Sequence, residues 1–330
     1  MQSCNSIEEL CNTRVLPDSR WNNDRAKPLM MHSIHVYPAK FPPMIAEQAF
    51  RYAEEEGVMV NKVADIFCGC GTVALESKRR GIPFWGCDIN PVAILITKAK
   101  TNQYAMSTLA SYYNIIKKKY TYYLSQETYK DCYKNAPERL KYWFRDKTYT
   151  ELYCLKIAIN ASVDDREYLS AFMCIFSSIL KTSSKWLQKS IKPQVDPNKR
   201  EVDIKRLFDQ RVHKFFKAVM EINDKDIKGS ELTILKTDFL EVNGPQDIDL
   251  IITSPPYVTS YEYADLHQLS SLWLGYTDDY KRLREGSIGS AYNSQDIDLD
   301  NLKLNTTGTR IINELIKEGI SYCKVLTSTV

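Results

Sequence analysis

Four residues late in the chain, Ser254-Pro255-Pro256-Tyr257, bring together a small hydroxyl, a rigid carbonyl and an aromatic ring. Neither proline has an N–H, and Pro256 holds Pro255 out of the helical region, so the turn is stiff and its carbonyls lack a ladder partner. Such a set suits a flat ring that bears an amine. On this segment alone, a proline-ended strand of any α/β domain explains the residues equally well. A second constellation lies upstream, where Cys68-Gly69-Cys70-Gly71-Thr72 forms a glycine turn and Asp88 ends the next apolar run. Glycines let the backbone approach a ligand closely, and a helix start behind them offers free N–H groups. An acid at the following strand tip can take both hydroxyls of a ribose, with Ile89 covering one face of an adenine. A third acid at a strand tip, Asp238 with Phe239, can meet the adenine amine.

These residues need strands that end together. Lys62–Phe67, Pro83–Cys87, Leu232–Leu235 and Asp247–Ile252 read as short buried strands, the last led by an acid and breaking at the prolines. Helices are expected from Met44, after Pro42-Pro43, and over Val73–Arg80 and Val92–Lys100, the last opened by Asn90-Pro91. Strand, glycine turn and helix in that order are the context that gives a glycine motif meaning. The pattern points to a nucleoside cofactor. No G-x-x-x-x-G-K-[ST] is present, which argues against a nucleotide triphosphatase. A dinucleotide oxidoreductase would want a third glycine where Thr72-Val73-Ala74 stands.

With 330 residues, 44% hydrophobic and 26% charged, the chain reads as globular, with one or two domains. A net charge of +3 permits a nucleic-acid partner without requiring one. The nine cysteines include no C-x-x-C pair, and the four histidines show no zinc-like spacing, so no metal site is expected. Dispersed thiols, the absence of a secretory h-region and the absence of a long apolar run suggest a reducing cytoplasm.

The expected organisation is an N-terminal arm (1–30), a first cofactor-binding part (31–100), a helical insertion (101–230) and a second part (231–330) that carries the proline motif. The insertion is too long for a simple βα connection. Its many tyrosines suit core and rim packing, although such rings can also stack on bases. Near its end, Lys181, Lys185, Lys189 and Lys192 surround Trp186, which makes either a phosphate-contacting loop or a solvated helix end. Lys281, Arg282 and Arg284 form a second basic knot. His267, in a helical stretch over Val258–Tyr280, reads as a packed histidine rather than a catalyst, and Thr309–Cys323 reads as one amphipathic helix.

In this order the motifs resemble those of the S-adenosylmethionine-dependent DNA methyltransferases that modify exocyclic amines, and most of all the cytosine-N4 enzymes of restriction–modification systems. Asp65-Ile66-Phe67-Cys68-Gly69-Cys70-Gly71-Thr72 is similar to that family's cofactor loop. Asp88-Ile89-Asn90-Pro91 is similar to its ribose acid, and Asp238-Phe239 to the next acidic tip. Tyr37-Pro38-Ala39-Lys40-Phe41-Pro42-Pro43 resembles its methionine-side motif, and Thr253-Ser254-Pro255-Pro256-Tyr257 its catalytic S-P-P-Y. The resemblance implies a Rossmann-like α/β fold and S-adenosylmethionine as cofactor, with double-stranded DNA bound through a flipped base. It implies cofactor contacts from Tyr37, Lys40, Phe41, Asp65, Phe67, Gly69, Gly71, Thr72, Asp88, Ile89, Asp238 and Phe239. Catalysis would fall to Ser254, Pro255, Pro256 and Tyr257.

One departure stands out. A complete fold of this type carries about three more strands after the S-P-P-Y strand, whereas 258–330 reads as chiefly helical. The expectation is an N-terminal part of a longer or split methyltransferase, partnered by a complementing C-terminal polypeptide or a cognate restriction endonuclease system. Two rivals remain: an adenine-N6 or RNA guanine-amine methyltransferase, and a catalytically incomplete DNA-binding subunit.

Overall fold

The computed structural model describes residues 27–225, 227, 230–256, 262–287 and 306–317. Four of the apolar runs form strands β1 (Val63–Asp65), β2 (Phe84–Asp88), β3 (Leu232–Lys236) and β4 (Leu250–Ile251). They make one sheet in the order β3-β2-β1-β4, every pair parallel. Helix α1 (Pro43–Glu55) precedes β1, α2 (Thr72–Arg79) links β1 to β2, and α3 (Pro91–Thr101) follows β2. The fold is Rossmann-like α/β, as expected. Prolines open α1 and α3 at their first turns, and the Asn90 side chain caps α3 by accepting from Val92 N at 3.0 Å.

Strand alternation divides the sheet into two faces. Val63 and Phe84 point toward α1, α2 and α3, where they pack with Ala46, Phe50, Val73, Ala74 and Ile94. Ala64, Trp85 and Cys87 point the other way, against Ile66 and Phe239, Val242 and Ile248 of the β3–β4 connection. Ile251, the register partner of Ala64, is 59% exposed on this second face.

The long stretch between β2 and β3 is helical, as its periodicity predicts: α4 (Met106–Ser125), α5 (Glu138–Trp143), α6 (Asp146–Ser162), α7 (Arg166–Ser183) and α8 (Ile204–Asp224). The apolar side of α3 (Val92, Leu95, Ile96, Ala99) joins these helices in one continuous core that also takes in Leu29, Met31 and Ile34. Tyr104, Tyr113, Tyr120 and Tyr149 are buried in that core, which accounts for part of the tyrosine abundance. After the proline motif come α9 (Tyr263–Leu266) and α10 (Gln268–Leu274), separated by His267. Gly275, at φ +73°, ends α10 in the left-handed conformation that glycine adopts without penalty. Helix α11 (Thr306–Lys317) covers part of the expected C-terminal helix, and 318–330 lie outside the described residues. Among the described residues no helix is long and apolar enough to cross a membrane.

β4 is short and sits at the edge, yet its register is tied from outside the ladder. Asp249 Oδ2 accepts from Asn61 N at 2.8 Å and from Lys62 N at 2.9 Å, anchoring the start of β4 to the start of β1. Asp249→Ala should therefore lower stability by about 1 kcal/mol in urea unfolding. It should also speed hydrogen exchange at Ile252 N, which donates to Ala64 O at 3.0 Å.

Candidate active site

The carboxyl ends of the four strands open into a single cleft of about 1210 Å³, counting its solvent-filled mouth. In open α/β sheets this edge is where ligands bind. Of the twelve residues expected to touch a cofactor, Tyr37, Lys40, Phe41, Asp65, Phe67, Gly69, Thr72, Asp88, Ile89, Asp238 and Phe239 line this cleft. Ser254, Pro255 and Pro256 line it too, so the two constellations share one cavity. Tyr257 lies outside the described residues.

Gly71 does not line the cleft; it shapes the turn that does. Its φ is +72°, and a Cβ placed there would sit 2.6 Å from Thr97 Cγ2. Gly69 also has a positive φ, +48°, and its amide donates to Asp88 Oδ2 at 2.8 Å. From behind, α3 grips the turn: Thr97 Oγ1 donates to Gly69 O at 3.0 Å and Lys100 Nζ to Cys70 O at 2.6 Å. Thr97 and Lys100 are turn-holding residues that the motif reading missed. Their signal was a threonine and a lysine three apart, on one face of an otherwise apolar helix. Thr72 Oγ1 donates to Phe41 O at 3.0 Å, which ties the N-terminal Tyr37–Phe41 wall to the start of α2. The C-x-C pair has a packing place here, since both Cys68 and Cys70 are buried.

Three carboxylates line the cleft, Asp65, Asp88 and Asp238, and none makes an ion pair among the described residues. Asp88 accepts from Gly69 N and, at 2.8 Å, from Asn90 N, leaving lone pairs free for further donors. Burial nevertheless pushes its pKa up to about 6. Asp65 accepts from Thr253 Oγ1 at 2.7 Å and Phe67 N at 3.2 Å, and burial pushes it up to about 7. The first bond joins the end of β1 to the residue before Ser254. Asp238 Oδ1 accepts from Leu240 N at 3.0 Å, which fixes the bend that presents Phe239.

His267 is buried as expected, but it belongs to the cleft wall. Its ring stacks on Tyr37 with centroids 4.6 Å apart, its Nε2 has no partner among the described residues, and burial pulls its pKa down to about 3. It is therefore a neutral imidazole that supports Tyr37 from behind.

The basic residues expected to contact DNA divide by environment. Lys189, Lys192, Lys281 and Arg282 are exposed, Arg282 lying 3.6 Å from Asp278. Lys181 donates to Ser190 O at 2.7 Å and lies over the Trp186 ring, which itself stacks on Trp143 at 5.0 Å. Lys185 is half-buried, 5.7 Å over Tyr142. Arg284 forks onto Asp265 at 2.7 and 2.9 Å. That pair pins the segment through Leu283, Gly286 and Ser287 against the cleft mouth.

No family model matches the sequence, and no solved structure matches it. Over 268 residues the chain is 26% identical to the type II methyltransferase M.MvaI of Kocuria varians, an alignment covering 74% of this chain and 58% of that protein. Over 235 residues it is 23% identical to the type II methyltransferase M.MjaII of Methanocaldococcus jannaschii, covering 70% and 43%. Its relatives are type II methyltransferases. The chain spans about half the length of the curated relatives it matches.

Two outcomes follow from this geometry. Gly71→Ala, which forces a Cβ into Thr97 at a left-handed position, should destabilise the fold by about 1–3 kcal/mol in thermal or urea unfolding. Asp65 holds its proton up to about pH 7 when folded but releases it near 3.8 when unfolded. Between those values the folded state binds more protons, so this group's contribution to stability falls as pH rises. Asp65→Asn removes that dependence while keeping an oxygen for Thr253 and Phe67. Relative to the parent, the variant should therefore be more stable at pH 8 than at pH 5 in urea unfolding.

Proposed function

We propose that this chain carries the catalytic centre of a DNA methyltransferase that moves a methyl group from S-adenosylmethionine to N4 of cytosine in double-stranded DNA, within restriction–modification. The observation that carries the reading is that Ser254-Pro255-Pro256 walls the same strand-end cleft as the Gly69 turn, Asp88 and Asp238-Phe239. The residues present suit the cofactor. Carboxylates raised by burial and lacking cationic partners fit a ligand that brings positive charge and ribose hydroxyls. Asp88 would hold the ribose, Ile89 and Phe239 the adenine faces, and Asp238 the adenine amine. Tyr37, Lys40, Phe41, Asp65, Phe67 and Thr72 would surround the methionine side. When bound, the cofactor supplies an electrophilic methyl group.

The chain's own residues prepare the amine. The lone pair of a cytosine amine is delocalised into its ring, so the nitrogen is a poor nucleophile. The Ser254 hydroxyl and the Pro255 carbonyl accept its two hydrogens and favour a pyramidal nitrogen. Pro256 fixes that carbonyl, and Tyr257 stacks on the base. The rate gain is one of positioning, with the reacting atoms about 3–3.5 Å apart. The target base must leave the duplex, which costs a few kcal/mol, and stacking worth about 1–3 kcal/mol offsets part of that.

Transfer of radiolabelled methyl groups to duplex DNA should fall by at least about tenfold in Ser254→Ala, on the scale of losing one hydrogen bond to the reacting amine. Nucleoside analysis of the product should show N4-methylcytosine. N6-methyladenine, or label in RNA guanine, would move the assignment to another amine. Undiminished transfer by the variant would overturn the role of Ser254.

A second reading has an observation of its own in the exposed Ile251 on the sparsely covered sheet face. In it the chain is one part of a split enzyme, completed by a C-terminal polypeptide and working beside a cognate restriction endonuclease. Transfer that appears only when such a polypeptide is added would select it.

A further inference from the structure

Behind the Tyr37–Phe41 wall, cations crowd together on backbone carbonyls, while the carboxylates at the same turn are taken by other donors, Glu221 by Met30 N at 2.6 Å and Glu76 by His32 at 2.9 Å. Lys40, on the cleft wall, donates to His32 O at 2.9 Å. Lys214 of α8 donates to Ser33 O, so two ammonium groups share one turn of backbone, Met30–Ser33. Arg211, one turn back on α8, keeps a buried Nε that has no partner among the described residues. Lys40 is pulled below the usual lysine range by burial and then by Lys100, and Lys214 by burial and then by Arg211 and Lys40.

From this locus an exposed edge of α8 runs outward with Lys205, Arg206, His213 and Lys217, along a groove that begins at Met30. The two acids on the groove are engaged inward. Asp203 Oδ1 accepts from Arg206 N at 2.9 Å, and Asp209 Oδ1 accepts from Tyr113 OH at 2.6 Å. No side-chain ion pair occupies Lys205, Arg206 or Lys217 among the described residues. From Lys205 to Lys217 the helix rises about 18 Å at 1.5 Å per residue, the axial length of about five base pairs. That is a track for an extended polyanion rather than a seat for a single ion.

We propose that the exposed edge of α8, together with the Lys40–Arg211–Lys214 locus, seats the phosphate backbone of duplex DNA beside the cleft. The inference rests on the methyltransferase reading and adds to it where the duplex lies. Neither of the basic clusters singled out in the sequence lies on this helix. A backbone seated here neutralises cations that make no ion pair among the described residues, and Lys40 carries the positive field from the helix to the cleft wall.

The test is binding of the full chain to a fluorescent DNA duplex over a range of salt concentrations. It compares the parent with the triple variant Lys205→Gln, Arg206→Gln, Lys217→Gln and with the control Lys189→Gln, Lys192→Gln. The triple variant changes only exposed side chains, and an unchanged melting temperature and S-adenosylhomocysteine affinity would show that the fold and the cleft are intact. The expected result is a slope of log K against log salt smaller by about 2 to 3, at about 0.9 for each phosphate no longer neutralised, with affinity down roughly tenfold or more at 0.1 M salt. An unchanged slope in the triple variant, with the parent binding duplex, would overturn this surface and leave the methyltransferase reading standing. Stronger binding to an RNA duplex than to DNA, or loss confined to the control, would overturn it as well. A parent that binds no duplex would defeat both readings.

Discussion

The structure depends on a turn held from three sides. Gly69 donates its amide to Asp88, its carbonyl accepts from Thr97, and the next carbonyl accepts from Lys100. Together with Gly71 N on Cys68 O and Cys68 N on Cys87 O, these bonds keep the left-handed glycines between β1 and α2 in place. The grip also joins separate parts of the chain: Asp88 ends β2, while Thr97 and Lys100 lie on α3, the helix that joins the sheet to the large helical core. The helices between β2 and β3 are therefore mechanically connected to the Gly69 turn through α3.

A second theme is charge left unpaired. Asp65 and Asp88 face the cleft on hydrogen-bond donors that are backbone or hydroxyl, while Lys40, Lys100 and Lys214 end on carbonyls. A cation paired with either acid would have offset the desolvation that raises its pKa. Keeping them apart leaves Asp65 and Asp88 on the cleft with raised pKa values, while Lys100 is sealed behind the glycine turn.

Much of this was legible in the sequence because the decisive signals are local. A short apolar run, two glycines and a helix start can be read in a dozen residues, and the tips at Asp88 and Asp238 follow from the same logic. The proline turn after β4 is legible for the same reason. What escaped were interactions made at long range. Nothing near Lys100 announces that its ammonium ends on Cys70 O, and nothing near His267 announces that it stacks on Tyr37. The surroundings of the basic knots were not legible either: composition counts charges, but only packing shows that Arg284 is held by Asp265 and Lys181 by Ser190 O, while Lys189, Lys192, Lys281 and Arg282 stay exposed. Charge on α8 is diluted in sequence by the apolar positions of an amphipathic helix, and it becomes a stripe only when the helix is formed.

The two halves of the cleft are not equally supported. The half that carries the Gly69 turn is built on β1, β2 and the face packed by α1, α2 and α3, where Val63, Phe84, Val73 and Ala74 are essentially fully buried. The half that presents Ser254 hangs on β4, two residues long, tied by Asp249 at its start and by Thr253 to Asp65 at its end. Local stability follows buried contact, so the strand that carries Ser254 is the part of the site most easily shifted. The Thr253–Asp65 hydrogen bond then matters beyond its own strength, because Asp65 belongs to the well-packed half. Whatever settles against Asp65 in the cleft will also act on the register of β4, and through it on the placement of the Ser254 hydroxyl.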